Sequence, residues 1–266
     1  MKYSNMFEIA YKDIREAFSS IAIYGPMIGI PVFFAIALPL FTIYVSQYAG
    51  ASIFSRILGV SPIASAGISA YSQQGKFIFI NYFAIDILGP IFLTMPIITA
   101  TVIAADSFAG EKERRTAESL LSTPASDMEL LAGKTLASFV PAVALTIIVY
   151  LIYAGVTNYL TIAGFGKAVF PNILWYMMLA NSPFLALTTI GLVVLVSSRV
   201  RNIKEAQQVS SLLVLPILVI PFVSVFNVAN IDFWFLFGMM IVLALSSAIV
   251  MLASISLFDR ERFIAA

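Results

Sequence analysis

The stretch ADSFAGEKERRTAESLLSTPASDMELLAGK, residues 105 to 134, holds most of the side chains in this sequence that suit molecular recognition. Glu111, Lys112, Glu113, Arg114 and Arg115 stand in a row, followed by Thr116 and Glu118, the apolar pair Leu120 and Leu121, and Pro124. Apolar knobs on a short helical turn inside a charged rim suit docking into a groove of another protein. The plainer reading of the same spacing is a solvated turn whose basic residues anchor topology. Bond-making chemistry is poorly supplied. The chain has no Cys and no His, so thiolate and imidazole nucleophiles, bases and metal ligands are missing. No G-x-x-x-x-G-K-[ST] phosphate loop occurs; Gly164, Gly166 and Lys167 lack the spacing and are followed by Ala168. No catalytic, cofactor or metal residue is therefore expected. Asp86 is the one carboxyl inside an apolar run, while Gln207 and Gln208, with Ser210 and Ser211, open another. Such groups either line a pathway or bond between helices.

The elements that must position these residues are hydrophobic spans. The 266 residues are 61% hydrophobic and 11% charged, whereas a soluble domain is about a quarter charged. That balance excludes an ordinary soluble enzyme, and it is the reverse of disorder. A net charge of +1 gives no sign of a nucleic-acid partner. Six stretches are long enough to cross a bilayer, at about 21–46, 78–105, 134–157, 172–197, 206–226 and 233–257. Twelve of the fifteen basic residues fall before the first span, after the second, after the fourth and at the C-terminus. The positive-inside rule then puts both termini in the cytoplasm of a multi-pass protein.

Residues 1–20 are too charged for a signal peptide and read as an amphipathic helix. Phe7, Ala10, Tyr11, Ile14 and Phe18 lie on one face, with Glu8, Lys12, Arg15 and Glu16 on the other. Such a helix is expected at the membrane interface, in contact with lipid. The outer segment 48–76 is either a connector or short re-entrant helices. Trp175, Tyr176 and Trp234 are read as an interfacial belt. Between the second and third spans, the second helix is expected to continue to about Glu113. Ala117 to Ser122 forms a short helix, Pro124 ends it, and Ser126 with Glu129 is spaced as a capping box that restarts the chain. Asp106 is expected to mark the inner end of the second span and to pair with a nearby base. No internal repeat is seen, which argues against many secondary transporters.

GEKERRTAESLLSTPASDMELLAGK resembles the cytoplasmic loop of type-2 ABC exporter permeases, and NIKEAQQVSSLLVLP, residues 202 to 216, resembles that family's entry into its fifth helix. The match in layout covers nearly the whole chain. The resemblance implies an all-α polytopic membrane protein: one permease domain, 1–266, of six transmembrane helices. An amphipathic interfacial helix precedes them, and a short cytoplasmic coupling helix lies within 106–134. It implies that Glu111, Lys112, Glu113, Arg114, Arg115, Thr116, Glu118, Leu120, Leu121 and Pro124 contact a separate cytoplasmic ABC ATPase. Two such subunits would hold ATP and Mg, and a second permease copy, identical or related, would complete the path in the plasma membrane. Relatives often carry Gly at the position of Arg115 and a large apolar residue at that of Ala117, so the loop here differs in detail. The alternatives are a secondary transporter or channel without a motor, and a type-1 importer permease. The importer motif is only partly mimicked by Glu205, Ala206 and Pro216.

Overall fold

The computed structural model describes residues 3–48, 72–114, 126–200, 202–222 and 232–257. Among them the chain is helical apart from short connections, with no strand. The helices are α1 (Tyr3–Ser19), α2 (Ile21–Tyr48), α3 (Gln73–Tyr82), a π-helical turn at Phe83–Ile87, α4 (Gly89–Phe92), α5 (Thr94–Glu113), α6 (Asp127–Phe165), α7 (Ile173–Ser197), α8 (Ile203–Phe222) and α9 (Phe233–Leu257). A helix satisfies its own backbone groups, which hydrocarbon surroundings demand. Five described segments are long and apolar enough to cross a membrane: Met27–Gln47, Gln73–Glu113, Asp127–Phe165, Ile173–Ser197 and Phe233–Ser256. The remaining expected span is α8, which is 20 residues long and opens on the polar Lys204, Glu205, Gln207 and Gln208. The outer segment 49–71 and the tail beyond 257 lie outside the described residues.

Helix ends follow the local chemistry. Ser126 and Glu129 form the expected capping box: Glu129 N–H donates to Ser126 Oγ at 3.3 Å, and Ser126 N–H donates to Glu129 Oε2 at 3.1 Å. At its far end α6 stops at Gly166, whose φ of 66° is left-handed. The resulting helix has 39 residues, longer at both ends than the expected 134–157, because the capping box and the glycine lie well outside the apolar run. The second span is interrupted rather than continuous. Pro90 has no N–H to offer the turn before it, and Leu88 N–H instead reaches Phe83 O at 2.9 Å, an i to i+5 bond. Tyr153 on α6 donates its hydroxyl to the Ala84 carbonyl within that turn at 3.0 Å.

α5 is the central column, packed by α1, α2, α6, α7 and α8. Small residues set the close crossings. A Cβ on Gly191 of α7 would lie 2.7 Å from Val250 of α9, and there Ser254 donates to Gly191 O at 2.8 Å. A Cβ on Gly133 of α6 would lie 2.9 Å from the backbone oxygen of Met6, so α1 rests directly on α6. One feature corrects the sequence reading. Tyr176 and Trp234 are exposed as a belt requires, but Trp175 is only 3% exposed. Its ring packs among Phe92, Tyr150, Tyr153 and Phe170, with centroids 4.2–5.3 Å away. Five rings in contact bury more apolar surface than an interfacial position allows.

Candidate functional site at the charged end of the bundle

Where α5 ends, four consecutive charged side chains reach four different helices. Glu111 Oε1 accepts from Lys134 Nζ of α6 at 2.8 Å. Lys112 Nζ donates to the carbonyl of Ser198, the residue that caps α7, at 3.5 Å. Glu113 Oε2 accepts from the backbone N–H of Ile203, the first residue of α8, at 2.9 Å. Arg114 donates to Glu16 of α1 at 2.8 Å and also back to Asp106 of α5 at 2.7 Å. A cation thus meets a helix C-terminus and a carboxylate meets a helix N-terminus, each on the side that the helix dipole favours. The Arg114–Glu16 pair is half-exposed, and such pairs contribute only about 0–1 kcal/mol each. Their value here is geometric, because one helix end is tied to its neighbours at four points.

The innermost group is stronger. Lys134 is 1% exposed. Besides Glu111 it contacts Asp13 Oδ2 of α1 at 3.4 Å and donates to the Ser107 carbonyl of α5 at 2.6 Å. Ser107 donates its hydroxyl to Asp13 at 2.5 Å, and the ring of Phe108 lies 5.5 Å from Nζ. A buried ammonium is tolerated only when paired and hydrogen-bonded, and here α1 and α5 supply the partners for a lysine carried on α6. In the sequence Lys134 is simply one of the basic residues at the inner ends of the spans, and no motif singles out Asp13. The signal was present: Ala10, Asp13 and Ala17 recur at helical spacing, a charge within a stripe of small residues. All three are buried against the bundle. Of the expected apolar face, Ala10 is buried in the bundle, while the aromatic members Phe7, Tyr11 and Phe18 point outward, as contact with lipid requires.

The structure brings Glu111, Lys112, Glu113 and Arg114 together and pairs Asp106 as expected. Arg115, Thr116, Glu118, Leu120, Leu121 and Pro124, with the short helix expected around them, lie outside the described residues. Asp86 is not part of this cluster. It sits half-buried in the π-helical turn, 25 residues before Glu111 and roughly 35 Å away along the helix axis. Gln207 is half-buried and Gln208 exposed in the first turns of α8. Asn181 of α7 is fully buried and donates to Met177 O at 2.7 Å and to Leu236 O of α9 at 3.4 Å, a polar tie between helices. No group of acidic residues able to hold a metal ion occurs among the described residues.

A family model described as "ABC-2 family transporter protein" matches residues 7–231, most of the chain. The chain belongs to the ABC-2 transporter family. Its members are membrane permeases of ABC transporters, transport subunits that work with a cytoplasmic ABC ATPase. Compared with curated proteins, this ABC-2 permease matches none. The match takes in α1 from Phe7, the whole charged cluster and all of α8.

Proposed function

We propose that this ABC-2 permease is the membrane subunit of an exporter, driven by separate ATPase subunits that dock on residues 115–125. In this reading it has six spans, with α8 as the fifth, and both termini lie in the cytoplasm of the plasma membrane. Two permease copies, identical or related, enclose the path, and two ATPases hold ATP and Mg. The observation that carries the reading is the fourfold tie of Glu111, Lys112, Glu113 and Arg114 immediately before that loop. A helix end bonded to α1, α6, α7 and α8 cannot shift without shifting them. A push delivered at 115–125 is therefore passed to most of the bundle as one displacement, which is what alternating access requires. Leu120 and Leu121 supply the apolar contact, Arg115, Thr116 and Glu118 its rim, and Pro124 the turn back into α6. Asp86, Gln207 and Gln208 are the polar side chains offered to the path.

The test is purification from native membranes in mild detergent, followed by native mass spectrometry. Two permeases with two ATPases are expected. Leu120→Asp with Leu121→Asp should strip the ATPases, leaving the bundle folded. A folded wild-type chain free of any ATPase would move the secondary transporter into first place.

A further inference from the structure

α1 has two faces with opposite assignments. Its inner face is used up by Asp13, held by Lys134, and at the edge of that face the exposed Glu16 pairs with Arg114. Its outer face presents Phe7 (61% exposed), Tyr11 (69%) and Phe18. On a helix of 3.6 residues per turn, Arg15 and Lys12 occupy the strip beside that aromatic stripe. Tyr11, Lys12, Arg15, Glu16 and Ser19 line one shallow groove there. Lys12 meets Glu111 only at 3.9 Å, with 63% of its side chain exposed, and Arg15 makes no ion pair with a described residue. Glu8 shares the outer face, and Glu16 lines the groove while paired with Arg114. Two of the helix's three acids are thus paired with bases of other helices, while Lys12 and Arg15 remain exposed.

The outer stripe is also continuous with a surface that lipid must cover. A single residue, Ser20, separates α1 from α2, and α2 begins on Ile21, which is 74% exposed. Phe33, Phe41 and Tyr44 extend the exposed apolar surface along α2, a helix apolar enough to cross a membrane. α1 is therefore held at the depth where the bilayer surface begins, with aromatic rings on one strip and guanidinium and ammonium groups on the next. We infer that this outer face binds anionic phospholipid, the rings entering the acyl boundary and Lys12 and Arg15 holding the phosphate. It rests on α2 crossing the membrane and is independent of any ATPase. Its inner-face ion pairs would then place lipid charge one contact away from the end of α5.

The chain has no Cys, so Ser19→Cys gives a unique attachment point for an environment-sensitive dye in that groove. The full chain in neutral detergent is titrated with dihexanoyl-phosphatidylglycerol and, separately, with dihexanoyl-phosphatidylcholine. A saturating signal is expected at concentrations at least tenfold lower for the anionic lipid. Lys12→Gln with Arg15→Gln should weaken its half-saturation about 30-fold, from about 1 kcal/mol per basic residue at an anionic surface. Lys12→Arg with Arg15→Lys should restore it. Equal responses to the two lipids in the wild type would overturn the proposal. So would an unchanged midpoint in the Gln pair, or a signal that answers only to added ATPase. Because no ATPase is needed, a negative result leaves the exporter reading intact.

Discussion

Lys134 shows how much hangs on a single ammonium group. It neutralises Asp13 and Glu111, which come from helices far apart in sequence. Removing it leaves two buried carboxylates with only the exposed Lys12, 3.9 Å from Glu111, as counter-charge. Breaking a buried ion pair from one side costs about 3–5 kcal/mol, whereas replacing the whole set by neutral groups is often close to neutral. Lys134→Met should therefore lower the thermal midpoint in detergent sharply, as read by aggregation on heating. The triple variant Lys134→Met, Asp13→Asn, Glu111→Gln should recover much of the loss. Equal damage in both would mean that shape rather than charge holds this corner. At this scale the sequence was only partly legible. The charged motif is conspicuous because its residues are consecutive, but Asp13 and Lys134 are 121 positions apart and no local pattern joins them. Trp175 misleads for a related reason: an aromatic near a span end looks the same in sequence whether it faces headgroups or four other rings.

The elements were easier to read than their faces. The positions of α7 and α9 follow directly from uncharged runs, and the start of α6 follows from Ser126 and Glu129, whose capping chemistry is local. The interruption at Phe83–Ile87 was less visible, since Pro90 announces a defect but not its form. The lipid-facing stripe of Phe7, Tyr11 and Phe18 was legible, but the packed face beside it, with Asp13, was not. In a membrane protein an apolar stripe suits lipid as well as protein, so periodicity alone cannot assign the face. What seats α1 is a small residue, Gly133, with the Met6 carbonyl against it. Gly133→Val would push backbone against side chain, and overpacking of this kind costs about 1–3 kcal/mol. It should free α1 while leaving the other helices packed, and cleavage by trypsin at Lys12 and Arg15 should accelerate severalfold. Unchanged protection would show that the ion pairs alone keep α1 in place.

For the whole molecule, the family and the five helices long and apolar enough to cross a membrane were legible, because composition is a global signal. The arrangement around α5 was not, since it depends on which small residues meet across helices. α6 adds something at this scale. At 39 residues it is roughly 58 Å long, nearly twice the ~30 Å of bilayer hydrocarbon. It therefore emerges on both sides of the membrane as a continuous rod. Met128 and Ile162, near its two ends, are both about half exposed. In a chain without native thiols, spin labels on Met128→Cys and Ile162→Cys should sit about 51 Å apart in every state if the rod turns as one body. A distance that shortens with nucleotide would reveal bending at Pro141 instead. A constant distance makes α6 an internal ruler: any additional separation recorded between labels would report the second copy proposed above, and its change with nucleotide would trace the stroke of the transporter directly.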